Sequence, residues 1–361
     1  MRYPDFARNT MACSILLAVT IITGGCQMLP AWATRPIKPA PLEIGDTIAF
    51  IAPAGDLNEE RMILAKQRLE EMGFVIKQPD DLFRQYGYLA GTDERRAQEI
   101  MDAFTDPNVD AIFPGTGGYG TTRILDRLDY KTIRKNPKML IGFSDITGLH
   151  LAINRKAGLV TFHSPNPQYG LGSEGNLTDF SAKYFWRAIL KSSYYDDQGN
   201  RLAPGWTYEF PQDVPAPKTI ATGKARGRLI GGNFSLVAPT MGTPYEIQTK
   251  GKILFLEDVR EAPYRIDRYL SNLKLAGKLD GLNGVILGKF TQKKNDDHPS
   301  EFSFKQVFEQ YFADLGIPVV YDFPAGHYKF NATLPIGAMV ELEATEDGCR
   351  ITVLEDPVKL P

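Results

Sequence analysis

The stretch Lys138-Met139-Leu140-Ile141-Gly142-Phe143-Ser144-Asp145-Ile146-Thr147 decides how this chain is read. Lys138 to Ile141 has the composition of the end of a short buried strand, and Gly142 permits a sharp turn. Beyond it Ile146, Leu149, His150, Leu151 and Ile153 recur at helical spacing. A strand, a turn and a helix packed this closely expose the Ser144 hydroxyl and aim backbone N–H groups of the helix start toward it. That is the geometry of a nucleophile elbow, although Ile146 stands where the G-x-S-x-G pattern has its second glycine. A serine and an aspartate opening a helix also read as an ordinary cap. The stretch alone leaves both readings open.

Working outward, the same alternation of strand and helix fills the flanking sequence. Thr47 to Ala52 reads as a buried strand, Asn58 to Met72 as an amphipathic helix stopped by Gly73, and Phe74 to Lys77 as a second strand. Thr92 to Phe104 reads as a helix capped by Thr92, with Asp93 and Glu94 suiting the dipole of its first turn. Val109 to Phe113 follows as a third strand. Repeated strand-helix-strand units predict an α/β domain, residues 46–193, with a parallel sheet flanked by helices and ligands beyond the carboxyl ends of its strands. Gly115 to Gly120 and Ser144 both lie at such ends. Residues 194–222 turn polar and proline-rich and read as a linker. Residues 223–361 carry short β-rich runs at Gly223 to Leu229, Ile253 to Leu256, Val285 to Leu287, Val319 to Tyr321, Ala338 to Leu342 and Arg350 to Leu354, with helices at Arg265 to Ala276 and Phe304 to Phe312. This spacing predicts a second, mostly β and barrel-like domain.

The 361 residues, 43% hydrophobic, suit two domains of a globular protein. The net charge of −2, from 41 basic and 43 acidic residues spread along the chain, provides no basic stripe for a nucleic-acid backbone. Cys13, Cys26 and Cys349 have neither metal-ligand spacing nor a disulfide framework, so no metal or redox cofactor is expected. At the N-terminus Arg2 and Arg8 precede an uncharged apolar run, Met11 to Ile22, shorter than the roughly 20 residues of a membrane span. Residues 1–33 therefore read as an export signal, and an envelope or periplasmic location is expected; if the segment is not a signal, the location is cytoplasmic. Gly24-Gly25-Cys26 resembles a lipoprotein box, which would attach the chain to a membrane through lipidated Cys26, whereas Ala31-Trp32-Ala33 offers an A-x-A cleavage site. Residues 34–45, rich in proline from Thr34 to Pro41, read as a tether.

Gly115-Thr116-Gly117-Gly118-Tyr119-Gly120 could cradle a phosphate ahead of a helical run, Thr121 to Leu128, or form only a tight turn. It has no P-loop lysine and does not match G-x-G-x-x-G. Taken with IGFSDIT, LIGGNFSLV, LFLEDVREAPYRIDRYL, GVILGKF and FPAGH followed by LPIG, it resembles the LD-carboxypeptidase family of serine peptidases, from about Asp46 to Leu354. The resemblance implies that Ser144 is the nucleophile, that Glu257 orients the histidine and that His327 is the general base. It departs at Thr116, where the family usually carries arginine. The chemistry asks for these residue types on its own account. A serine is unreactive near neutral pH unless a base takes its proton, histidine titrates in the right range, and a buried carboxylate holds the ring in one tautomer. The attacked carbonyl needs N–H donors, for which Asp145, just after the nucleophile, and Gly117 or Gly118 are the candidates.

The function this implies is hydrolysis of the L,D amide between diaminopimelate and terminal D-alanine of murein tetrapeptides, with no cofactor and, by the family's habit, a homodimer. A related branch cleaves the peptidyl-nucleotide antibiotic microcin C by the same chemistry. A different class also fits size, export signal and charge: a two-lobed solute-binding lipoprotein, which gives no reason for Ser144, Glu257 and His327 to converge. Among the remaining residues, His150 reads as structural, and His163 as either a lining residue or a satisfied core histidine. His298, in an oxygen-rich loop, reads as solvated. Asp145 and Asp258 read as caps or site supports, and Arg260, Glu261 and Arg265 as a solvated charge cluster.

Overall fold

The computed structural model describes residues 36–292 and 302–360. The export-signal segment with Cys13 and Cys26, and the loop with His298, lie outside the described residues. The first half alternates β1 (Thr47–Ile51), α1 (Glu59–Glu71), β2 (Val75–Lys77), α2 (Asp93–Thr105), β3 (Ala111–Pro114), α3 (Tyr130–Lys135), β4 (Met139–Gly142), α4 (Thr147–Ala157), β5 (Thr161–His163) and α5 (Asp179–Ile189). The second runs β6 (Trp206–Thr207), β7 (Lys218–Ala221), β8 (Gly223–Asn233), α6 (Phe234–Val237), β9 (Lys252–Asp258), α7 (Pro263–Leu275), β10 (Gly284–Phe290), α8 (Phe304–Phe312), β11 (Val319–Tyr321), β12 (Leu334–Ile336), β13 (Met339–Thr345) and β14 (Gly348–Val353).

Local signals account for the boundaries. Asn58 caps α1 by accepting from Arg61 N–H, and Thr92 caps α2 from Arg95 N–H, each satisfying a donor that the first helical turn leaves free. Gly158, at φ +69°, closes α4 in the left-handed conformation that glycine adopts without a Cβ penalty. The run Thr121 to Leu128, expected to be helical, forms two short 3₁₀ turns.

The first sheet has the order β12-β5-β4-β3-β1-β2 and is parallel except for β12, which pairs antiparallel with β5. Helices cover both faces, with Phe50, Phe113, Ile141 and Phe185 in one core and Ile112, Leu140, Leu149 and Ile153 in the other. The second sheet, β6-β14-β13-β8-β9-β10-β11-β7, is mostly strand as predicted, and its centre is parallel. β8, β9, β10 and β11 are mutually parallel, joined through α6, α7 and α8. The sheet curls, so that Thr219 Oγ1 on edge strand β7 reaches the Gly348 carbonyl at 3.4 Å.

Three expectations need correction. Residues 36–45 are not a free tether. Leu42 is buried in the first core and bridges to Leu190, and Ile37 bridges to Leu159. Residues 194–222 are not a bare linker, because they supply β6 and β7 and bury Tyr194, Tyr208 and Val214. Finally, β12 belongs by sequence to the second region and by pairing to the first sheet, so the segment 223–361 does not form a body of its own.

Candidate active site

At the carboxyl end of β4 the backbone turns hard. Ser144 has φ +62°, a conformation that costs a non-glycine residue about 1–3 kcal/mol and persists only where its surroundings enforce it. Those surroundings are visible. The buried Asp145 carboxylate accepts the Thr121 N–H at 2.8 Å, and the Thr121 hydroxyl donates to the Asp145 carbonyl at 2.6 Å. The elbow is thereby bolted to the end of the glycine segment. Arg96, fully buried on α2, donates to the carbonyls of Gly120 and Pro53 at 2.9 and 2.6 Å and pairs with Asp93, which fixes the same segment from behind. His150 Nε2 stands 2.8 Å from the Gly142 carbonyl and steadies the turn, as its structural reading implied.

Gly117 lies directly over this elbow. A Cβ there would stand 2.8 Å from Ser144 Cβ, 3.0 Å from its Oγ and 2.9 Å from Asp145 N. Only glycine lets this backbone approach the serine so closely. The strand-end placement expected for Gly117, Gly118 and Asp145 is observed, and Gly117 and Gly118 line the same cleft as Ser144.

Glu257, near the end of β9, is fully buried, and its Oε2 lies 2.8 Å from His327 Nδ1 and accepts the His327 backbone N–H at 3.1 Å. Gly326, at φ +96°, makes room for this contact, since a Cβ there would come within 2.3 Å of Glu257 Oε2. Burial alone would raise the Glu257 pKa, but the charge and hydrogen bond of His327 outweigh it and hold the carboxyl below its ordinary value. On His327 burial pulls down, and the Glu257 charge and hydrogen bond more than compensate, so the imidazole titrates above its ordinary value. The pair is therefore set as a carboxylate beside a basic ring.

Asn233, at the end of β8, has a role the sequence pattern does not announce. Its amide donates to Glu257 Oε1 at 3.2 Å and Asp258 Oδ1 at 3.1 Å, bridging the two acids. Asp258 also accepts from Ser235 N–H and Oγ–H and from Val259 N–H. Burial, with the neighbouring Glu257 charge, pushes it up to about 7. The strand-end position of Asn233, after two glycines and before α6, was the available signal for it.

Ser144 and His327 line one cavity of about 1180 Å³, together with Phe143, Arg260, Tyr88, Tyr119, Tyr169 and Asn331. The Phe143 ring, next to the serine, packs 4.9 Å from the His327 ring. Loops from both sheets thus bring serine and histidine to one cleft, with the Glu257 carboxylate buried behind the histidine, and the cleft is larger than the roughly 300–1,000 Å³ of an ordinary small-molecule pocket. Arg260, expected in a solvated cluster, lines this cleft with φ +58°, while Arg265 and Glu261 pair at 3.2 Å. His163 is neither a lining residue nor a satisfied core histidine. It is fully buried behind Phe143 and Phe255, and among the described residues neither ring nitrogen has a hydrogen-bond partner. Among the described residues, no group of three or more His, Cys, Asp or Glu side chains could hold a metal ion.

Comparison with known proteins gives this geometry a lineage. Sequence profiles of the LD-carboxypeptidase N-terminal and C-terminal domains match residues 48–164 and 226–342. A probable murein peptide carboxypeptidase of Bacillus subtilis is 38% identical over 309 residues, covering 86% of this chain and 92% of its own. The solved structure of MccF in complex with glutamyl sulfamoyl guanosine superposes with a TM-score of 0.79 at 26% identity, covering 90% of this chain and all of that one. A muramoyltetrapeptide carboxypeptidase from Oxalobacter formigenes superposes with a TM-score of 0.73 at 29% identity, covering 87% and 99%. Profile matches in both halves, full-length relatives and a shared two-sheet architecture agree that this chain belongs to the LD-carboxypeptidase family and is a carboxypeptidase, hence a hydrolase.

Proposed function

We propose that the chain is a serine LD-carboxypeptidase that removes terminal D-alanine from murein tetrapeptides. The observation that carries the reading is that His327, its Nδ1 2.8 Å from buried Glu257, lines the same cleft as a serine held at positive φ. In the first half-reaction the Ser144 hydroxyl proton moves to His327 Nε2 as Oγ attacks the carbonyl at the L-centre of diaminopimelate. The oxyanion is met by main-chain N–H groups of Asp145 and the Gly117-Gly118 segment, which act where charge develops. The imidazolium, stabilised by Glu257, then passes its proton to the amine of the departing D-alanine, leaving an ester on Ser144. Water, deprotonated by His327, attacks that ester. The tripeptide leaves, and Ser144 regains its proton.

Relatives named for murein peptides, at up to 38% identity among those compared, support this substrate class over a peptidyl-nucleotide amide. The structural likeness to MccF keeps the latter as the rival outcome. The N-terminal sequence supports work in the cell envelope, which palmitate labelling of wild type and Cys26→Ala would test. Incubation of the purified mature protein with disaccharide tetrapeptide, followed by mass spectrometry, tests the function itself. The expected product is the substrate less one alanine. An unchanged muropeptide alongside cleavage of an aminoacyl sulfamoyl nucleotide would overturn the murein reading in favour of the immunity-type activity.

A further inference from the structure

A second cavity lies on the second sheet beside the middle of β8, at Arg228, Ile230 and Gly231, and the start of β9 at Lys252. It measures about 170 Å³, several water volumes at roughly 30 Å³ each. Its walls come from both sheets' surroundings: Arg155 in the last turn of α4, Arg228 on β8, Lys252 at the start of β9, with the amides of Asn154 and Gln248 and the carboxylate of Glu246. Arg228 and Lys252 are register partners on adjacent strands, so their side chains share a face.

The charges here do not balance. Glu246 is engaged by Lys278 at 2.7 Å and by the Gly242 N–H. Glu355, the other nearby acid, is shared between Arg228 at 3.1 Å and Lys38 at 2.8 Å. Among the described residues Lys252 and Arg155 have no ion pair, and the carboxyl end of α4 offers only the fractional charge of a helix terminus. Burial, reinforced by the positive charges of Arg155 and Arg228, brings Lys252 down to about 8. Lys252, partly buried, faces the cavity with no counter-charge of its own beside exposed Arg155 and Glu355-paired Arg228, and such a cation is costly unless something supplies the charge.

We propose that this cavity is a binding site for a small polyvalent oxyanion, held by Arg155, Arg228 and Lys252 with the Asn154 and Gln248 amides. Three cations around several acceptor oxygens form charge-assisted hydrogen bonds, the strongest kind available to such a ligand. Occupied, the site ties together elements that also reach the cleft. α4 follows Ser144 directly, β8 ends at Asn233, and β9 ends at Glu257 and Asp258. An anion here clamps the serine's helix to the strands that carry the histidine's partner.

The test is titration of the full chain with inorganic phosphate at ionic strength matched with chloride, read by unfolding temperature and by calorimetric binding. Saturable binding and a rising unfolding temperature are expected, because a ligand of the native state stabilises it by mass action. Lys252→Met should weaken phosphate at least about tenfold. Without phosphate it should unfold at the same or a higher temperature, having lost an uncompensated cation. Arg155→Gln, at an exposed position, should weaken binding without loss of fold. Absence of saturable binding, or equal affinity in wild type and both variants, overturns the site. Neither result bears on hydrolysis, which is measured separately.

Discussion

The two halves of the cleft are held by different physics. On the first sheet Ser144 is positioned by backbone: φ +62°, a glycine passing within a Cβ's reach, and an aspartate tied to Thr121. On the second, His327 is positioned by charge, through a buried carboxylate that contacts its ring and its main chain and is itself held by Asn233. The serine side depends on shape and tolerates loss of its own hydroxyl. The histidine side depends on ionisation, so its failures should be visible in pH profiles before they are visible in the fold.

The largest effect that sharpens this contrast is Ser144→Ala. It should lower kcat by about 10⁴–10⁶-fold, with an unfolding temperature close to wild type, since the turn's bonds are main-chain and Asp145 bonds. A large stability loss would mean that the hydroxyl, and not the backbone, holds the turn. Glu257→Gln is next, at about 10²–10⁴-fold in kcat, because the ring loses its tautomer and its stabilising charge. It should also move the acid limb of kcat/KM downward. In wild type a base raised above its ordinary value must be neutral to act, so activity rises with pH through a limb lying above about 6.5. An unmoved limb in the variant would separate the carboxylate from the base.

Gly117→Ala probes the backbone side without touching ionisation. A Cβ at 3.0 Å or less from Ser144 Oγ and Asp145 N should cost about 10²–10³ in kcat and leave the pH limb in place. The smallest effect concerns the buried pair behind the site. Burial holds His150 down to about 4 and His163 to about 3, so below about pH 6.5 the unfolded chain binds protons that the native one refuses. Stability should therefore fall as pH drops from 6.5 toward 4. The fall should be shallower in His163→Phe, as followed by urea denaturation across that range.

What could be read from the chain follows the same division. The turn at Ser144 and the strands leading to it were legible because periodicity and glycine placement are local. Glu257 and His327 were legible only through the resemblance to a family, since their convergence depends on pairings made far along the chain. β12 shows why. Three residues, Leu334–Ile336, do not read as a strand at all and lie in the second region by sequence, yet they pair with β5 on the first sheet. Leu42 and Val214 are buried within stretches whose prolines and polar residues read as tether and linker. The parallel centre of the second sheet was missed for a related reason. The helices between these runs, Arg265 to Ala276 and Phe304 to Phe312, are legible in the chain, but the many short β runs around them read as a mostly β domain and not as strand-helix-strand crossovers, the connections that parallel pairing needs. Asn233 and Arg96 act through hydrogen bonds to groups distant in sequence, which no pattern of apolar residues reports.

The central claim is that Ser144 and His327, from different sheets, work as one relay. A double-mutant cycle measures this most directly, with kcat on disaccharide tetrapeptide compared among wild type, Ser144→Ala, His327→Ala and the double variant. Groups that act as a unit are lost together, so the double variant should be no slower than the slower single variant within about threefold. Losses that multiply, with the double variant slower by the product of the two single effects, would contradict a shared relay and leave two independent contributions in one cleft.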